Sequence, residues 1–292
     1  MCASGRAASC RDRQPASMIR VIINADDFGL SPGVNRGIVT AFREGVLSSA
    51  TLMANMPGFA DAVRLARENP DLPVGVHLSL LWGPPVAGAD RVPSLVEKSG
   101  DFPSSLASFA LRYAAGRVAD ADVRTELRAQ LARVVDAGIT PTHVDTHKHV
   151  HCFPRVLDAV IDAAKVFGIA RVRLPVEEGR PASAASWAKV QFARAMLHDA
   201  RAKLAAAGLR TTDRFAGLGE ARLDAGALDR ILARLRPGTT EIMCHPGAAE
   251  DAASPYARAG LDRAAELEAL TDPRMKSRLA AAGARLISFA EI

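Results

Sequence analysis

The sequence predicts a single-domain α/β fold, a (β/α) barrel of seven or eight mostly parallel strands, and three observations lead to this prediction. Short apolar runs alternate with helical stretches along the chain, which is typical of a parallel sheet covered by helices. The chain has 292 residues, and a barrel of this kind takes about 250 residues. Hydrophobic residues make up 49% and charged residues 24%, a globular composition that excludes wholesale disorder.

Each predicted strand is a short apolar run, and each predicted helix follows a turn. The predicted strands cover residues 19–24, 50–54, 74–78, 143–146, 171–174, 241–244 and 285–288, and a weaker run lies at 214–217. The predicted helices cover residues 34–44, 59–68, 123–137, 155–167, 184–206, 225–235 and 273–282. Ser31 and Pro32 are typical of an N-cap and a first helical residue. The residues expected to end helices in the left-handed conformation are Gly138, Gly168, Gly208 and Gly283.

Two segments fall outside this alternation. Residues 1–17 are small, polar and basic and lack the apolar centre of a secretory signal, so they predict a disordered extension before a barrel domain at 18–292. Residues 82–116 are rich in Pro, Gly and Ser and predict a loop insertion after the third strand. The first turn has no GxGxxG motif, which argues against a dinucleotide site. An open doubly wound sheet stays an alternative to the barrel.

Charge and cysteine content limit the partners that the sequence supports. Lys and Arg total 37 against 32 Asp and Glu, and this excess is scattered, so we expect no nucleic-acid partner. The four cysteines form no CxxC pair and favour a reducing, cytoplasmic environment over a disulfide framework. No apolar stretch is long enough for a transmembrane segment. The oligomeric state stays open, a homo-oligomer included.

Ionisable side chains gather at the carboxyl ends of the predicted strands, the face that carries active sites in barrels. These side chains are Asp26 and Asp27 after the first strand, His77 in the third, Asp145, His147, His149 and His151 in or after the fourth, and His245 after the strand at 241–244. Adjacent carboxylates repel each other unless a cation or hydrogen-bond donors compensate. Histidines at every second position would share one face of an extended chain.

One Asp and two His from separate strand ends predict an open metal site, because three protein ligands leave positions for water and substrate. The other Asp of the pair would accept a proton from water, and His245 would act as the acid. Such a set can hydrolyse an amide. Each of these features also has an ordinary structural alternative. The Asp pair could cap the next turn or helix, His77 could be a hydrogen-bonded core residue, and the three alternating histidines could form a surface tract. A Cys244–His245 nucleophile pair is disfavoured because adjacent strand residues point to opposite faces.

Five segments of the chain resemble the YdjC-like carbohydrate deacetylases, a family with chitooligosaccharide and hopanoid branches. The segments are VIINADDFGLSPGVNRGI, SSATLMANMP, VGVHLSL, THVDTHKHVHCFP and EIMCHPG. The resemblance implies a distorted (β/α) barrel and a metal-dependent N-deacetylase that releases acetate from an acetylated amino sugar. The substrate would be a chitooligosaccharide-like glycan or an N-acetylglucosaminyl hopanoid glycolipid.

The motif positions imply a role for each candidate site residue. Metal ligands would be Asp27, His77 and His147, with Asp26 as the general base and His245 as the acid. The resemblance favours Mg²⁺, whereas two His and one carboxylate also suit Zn²⁺ or another transition metal. Lys148 stands where many members have His and is expected to point away from the ligand face. A metal-dependent aldolase or isomerase acting on a sugar, and a non-catalytic sugar-binding relative, stay open as alternatives.

Overall fold

Seven parallel strands form one curled sheet with helices around it, which confirms the predicted α/β fold as a distorted barrel. The computed structural model describes residues 18–178, 181, 183–220, 222–248 and 262–292, and the predicted extension at 1–17 lies outside the described residues. The strands are β1 (Ile19–Phe28), β2 (Ser49–Leu52), β3 (Val74–Leu78), β4 (Val144–Thr146), β5 (Arg214–Ala216), β6 (Gly238–Cys244) and β7 (Ala284–Leu286). Their order is β4-β3-β2-β1-β6-β5, and β7 pairs with the first residues of β1.

A segment between β4 and β5 forms single bridges to both edge strands of the sheet. Val172 bridges to Val144 of β4, and Glu177 bridges to Phe215 of β5. The strand predicted at 171–174 is therefore present only as single bridges. Pro175 follows it directly and has no N–H to donate, which ends a ladder at that point.

Ten helices cover the sheet in the described part of the chain. They are α1 (Pro32–Glu44), α2 (Phe59–Glu68), α3 (Leu106–Ala114), α4 (Asp120–Asp136), α5 (Pro154–Val166), α6 (Ala184–Met196), α7 (Ala200–Ala206), α8 (Ala225–Leu232), α9 (Arg263–Thr271) and α10 (Met275–Ala281). The predicted caps are confirmed: Ser31 accepts a hydrogen bond from the Val34 amide, and all four predicted C-terminal glycines have positive φ. No helix among these residues is long and apolar enough to span a membrane.

The helices differ from the prediction in three places. The helix predicted at 184–206 is two helices, α6 and α7, and Asp199 stands at the break, where a residue of low helix propensity is favoured. Helix α3 lies inside the segment 82–116, and only one of its residues is buried, so its apolar period is weak. Helix α9 was not predicted because two of its four buried residues are charged.

The two faces of β1 and β6 differ in polarity. Val21, Ile23 and Ala25 of β1 belong to the large hydrophobic core, whereas Asn24 and Asp26 are buried polar residues on the opposite face. On β6, Ile242 and Cys244 likewise belong to that core, and Glu241 is buried on the other face. The interior of the barrel is therefore polar near the carboxyl ends of its strands.

Candidate metal centre and catalytic groups

The two consecutive carboxylates of β1 reach one site because the strand is irregular at its end. The pairing of β1 with β2 shifts register between Ala25 and Phe28. Asp27 has φ of 67°, a left-handed conformation that costs a non-glycine residue free energy. A regular strand would point Asp26 and Asp27 to opposite faces. The irregularity turns both buried side chains towards the same cavity.

Three side chains bring one donor atom each to a common point. Asp27 Oδ1 lies 3.1 Å from His147 Nδ1 and 3.5 Å from His77 Nε2, and the two imidazole nitrogens are 3.3 Å apart. An ion about 2.1 Å from each donor requires separations of roughly 3.0 Å in octahedral and 3.4 Å in tetrahedral geometry. The donor set therefore fits a divalent cation. A second set, Asp26, His77 and Asp145, also has its ligand atoms within 4.8 Å of one another, but its carboxylates are bound by the contacts described below.

The orientation of His77 is set by a carboxylate behind it. His77 Nδ1 lies 2.7 Å from Asp145 Oδ1 and donates to that carboxylate, so Nε2 is the nitrogen that faces Asp27. Burial alone would lower the pKa of His77, but Asp145, Asp26 and Asp27 together raise it to about 9. The site thus attracts positive charge, whether a proton or a metal ion.

The histidine-rich segment after β4 does not have the predicted extended conformation. Residues His147–Cys152 form a 3-10 turn in which Lys148 and His149 have positive φ. The prediction that three alternating histidines share one face is therefore wrong. His149 lies with its ring edge against another aromatic residue, and His151 Nδ1 is 2.5 Å from Thr146 Oγ1. Of these three histidines, only His147 supplies an atom to the candidate donor set.

Lys148 is absent from the donor set, as expected, but it does not point away from the site. Its Nζ lies 4.2 Å from the centre of the Trp82 ring, a cation–π contact, and both residues line the cavity. The Trp82 ring in turn lies against His147, with ring centres 4.6 Å apart. Lys148 thus forms part of the cavity wall.

Arg173 is a fully buried guanidinium shared by three carboxylates. Its Nη1 and Nη2 donate to the two oxygens of Asp26 at 2.7 and 2.6 Å. Nη1 also lies 2.6 Å from Asp145 Oδ2, and Nε donates to Glu241 Oε1 at 2.7 Å. Burial alone would raise the pKa of Asp26, but the charge of Arg173 holds that pKa well below its usual range. Asp26 is therefore ionised at neutral pH.

The connected network of ion pairs carries excess negative charge. Arg263 Nη2 donates to Asp27 Oδ2 at 2.6 Å, which leaves Oδ1 facing the two histidines. Four buried carboxylates stand in this network against two buried guanidiniums. The carboxylates are those of Asp26, Asp27, Asp145 and Glu241, and the guanidiniums are those of Arg173 and Arg263. Uncompensated charge is costly in a protein interior, and a protonated His77 or a bound divalent cation would offset this excess.

His245 follows β6 and is positioned by helix α9. Its backbone N–H donates to Glu266 Oε2 at 2.5 Å, and its Nδ1 lies 3.9 Å from the same oxygen. Helix α1 packs closely on the next turn, since a Cβ on Gly37 would lie 2.4 Å from Gly247 Cα. His245 is thus held beside the carboxylates by contacts to its backbone and to the residues that follow it.

One cavity of about 250 Å³ collects these groups. Its lining includes all five predicted site residues, Asp26, Asp27, His77, His147 and His245. The lining also includes the amines of Lys148 and Lys189 and a set of large apolar side chains, Leu106, Phe153, Phe192, Leu218 and Met243. Every non-glycine residue with positive φ in the described part of the chain lines this cavity, namely Asp27, Trp82, Lys148 and His149. Backbone strain concentrated at one place is typical of a functional site.

The charged residues that hold the candidate site together are not among those predicted from the sequence. Arg173 lies in a run predicted as a strand, and Glu241 begins another, so a charge inside a buried strand was an available signal for both. Arg263 and Glu266 lie on the helix that was not predicted, and their spacing gave no signal.

Comparison with known proteins relates most of the chain to one family. A model of the YdjC-like protein family matches residues 20–281. A carbohydrate deacetylase of Geobacillus stearothermophilus is 40% identical over 271 residues, which cover 92% of this chain and 96% of the relative. A chitooligosaccharide deacetylase of Serratia marcescens is 35% identical over 277 residues, covering 93% and 98%. A crystal structure from Enterococcus faecalis V583, described as a candidate cellobiose-phosphate cleavage protein, superposes with a TM-score of 0.72 at 25% identity, covering 94% of this chain and 99% of that one.

Proposed function

Because the chain belongs to the YdjC-like protein family, we propose that it is a divalent-metal-dependent hydrolase that removes the N-acetyl group from an acetylated amino sugar and releases acetate. The observation that carries the proposal is the convergence of three donor atoms, 3.1 to 3.5 Å apart, in a cavity that also contains Asp26 and His245. The relatives' names support the deacetylase activity, and the donor set supports the metal. The ligands would be Asp27, His77 and His147.

The residues around the donor set would have separate roles in amide hydrolysis. A bound divalent cation would polarise the acetamide carbonyl and acidify the attacking water. Asp26 would take the proton from that water at its carboxylate, which Arg173 keeps ionised and orients through two hydrogen bonds. His245 would donate a proton to the departing amine from another strand end. Arg263 would keep Asp27 ionised and turned towards the two histidines.

The apolar side chains that line the cavity indicate what kind of group is attached to the amino sugar of the substrate. Leu106, Phe153, Leu218 and Met243 offer no hydrogen bond to a second sugar's hydroxyl groups, and Phe192 is 43% exposed where α6 meets the cavity. Apolar lining of this kind suits an apolar group next to the amino sugar. We therefore propose that an N-acetylglucosaminyl hopanoid glycolipid is the better substrate and a chitooligosaccharide the poorer one.

The test measures acetate release from both substrate types by the purified protein. Chelation should abolish release, and adding back Mg²⁺, Zn²⁺, Mn²⁺ or Co²⁺ singly should restore it with one preferred ion. His147→Ala should lose release because only two donors are left, and His198→Ala is the matched control because His198 is exposed on the surface. Full release by both chelated wild-type protein and His147→Ala would contradict metal dependence. A rearranged sugar without acetate would indicate the aldolase or isomerase alternative.

A further inference from the structure

Glu241 is a buried carboxylate that the proposed reaction does not use. It lies in β6 with no exposed surface, on the strand face that borders the interior of the barrel. Its Oε1 accepts one hydrogen bond, from Arg173 Nε at 2.7 Å. Its Oε2 has no hydrogen-bond partner among the described residues.

The presence of this third acid is not explained by neutralisation of Arg173. Asp26 pairs with the guanidinium through both of its oxygens, and Asp145 adds a second negative charge at 2.6 Å. Burial raises the pKa of Glu241 to about 7, which reflects the cost of keeping its charge in the interior. An apolar residue of similar size would cost less desolvation free energy at such a position. Glu241 therefore calls for an explanation other than stability.

The contacts of Arg173 supply that explanation. Glu241 binds Nε, the one nitrogen of the guanidinium that neither Asp26 nor Asp145 contacts. Phe215, the partner of Glu241 in the pairing of β5 with β6, places its ring 5.5 Å from Arg173 Cζ. Because a guanidinium is planar, fixing Nε fixes the directions in which Nη1 and Nη2 donate.

We propose that Glu241 is a positioning residue that acts through Arg173. By holding Nε, it fixes the plane of the guanidinium whose other two nitrogens orient the Asp26 carboxylate for proton transfer. The proposal rests on the proposed function, in which Asp26 is the base. Glu241 itself is not among the residues that line the cavity.

Two substitutions separate the position of the acceptor from the charge. Glu241→Gln keeps the length and an oxygen acceptor for Nε but removes the charge. Glu241→Asp keeps the charge but withdraws the acceptor by one methylene. We expect the Gln variant to retain most of the wild-type kcat and the Asp variant to lose ~10- to 100-fold in kcat. KM and metal content should stay near wild type in both, because Glu241 does not line the cavity and is not a member of the metal donor set.

Each result decides the proposal. A Gln variant as impaired as the Asp variant, or an Asp variant with wild-type kcat, would overturn the positioning role. If the Asp variant does not fold, as judged by its thermal unfolding, the Gln variant and the NMR signal of the Arg173 Nε–H group, assigned with Arg173→Lys, still decide. That signal should persist in Glu241→Gln as a slowly exchanging proton, and its loss there would overturn the role. Absence of acetate release from wild-type protein would instead overturn the proposed function itself.

Discussion

At the residue scale, the carboxylates of β1 have different surroundings although they are neighbours in the chain. Asp26 is bound through both oxygens by Arg173 and is not a member of the donor set Asp27, His77 and His147. Asp27 gives one oxygen to Arg263 and the other to the two histidines. The first arrangement suits a base held in place, and the second suits a metal ligand whose Oδ1 faces the two histidines.

This difference predicts that Asp26→Asn separates metal binding from turnover. Asparagine has nearly the same shape but cannot accept the proton, so we expect kcat for acetate release to fall ~10²- to 10⁴-fold. The metal content of the purified variant should equal that of wild type because Asp27, His77 and His147 are unchanged. Loss of both metal and activity would assign Asp26 to the metal site instead.

At the element scale, helix α1 determines where the turn after β6 can lie. The absence of a side chain at Gly37 lets the backbone at Gly247 approach the helix, and His245 lies two residues before that contact. The sequence marked α1 by its N-cap and Pro32, but nothing in the sequence showed that its buried face touches the turn that carries His245. Contacts of this kind depend on the packing of distant elements.

Gly37→Ala should therefore impair the reaction from outside the cavity. The new methyl group overlaps the Gly247 backbone, so the turn must move, which should cost about 1–3 kcal/mol of unfolding free energy. A shift of His245 by about 1 Å should lower kcat ~10²-fold. Gly226→Ala is the control, because a Cβ there meets only atoms at 3.5 Å or more. Equal kcat in the two variants would contradict the role of this contact.

At the scale of the whole molecule, the barrel explains which parts of the site were predictable. Asp26, His77 and His245 follow from the rule that parallel strands end on one face, and His147 follows β4 directly. Arg173 resembled the many scattered arginines of the chain, and its function depends on crossing the interior to β1 and β6, which no local pattern encodes. Arg263 lies on a helix whose buried positions include charged residues. The hydrophobic periodicity of the sequence therefore predicted neither this helix nor the burial of Arg263.

The excess negative charge of the interior predicts that the stability of the fold depends on pH, and that bound metal would reduce this dependence. In metal-free protein the pKa of His77 is about 9, above its ordinary value of 6.5, so the protonated histidine stabilises the fold. This contribution is complete below about pH 6.5 and is lost as the pH rises through about 9. The Tm of chelated protein should therefore fall between those pH values, and the Tm of metal-loaded protein should fall less. Parallel curves for the two forms would contradict this account.

The pairing of Asp27 with Arg263 joins positions 236 residues apart, and the same first strand pairs with residues 284–286. A ribosome makes Asp27 long before it makes Arg263, so a nascent chain carries the donor residues without the arginine that orients them. Contacts of such long sequence separation also form slowly. If the proposed site binds a metal ion, we expect the ion to be held only late in biogenesis, after Arg263 has been synthesised.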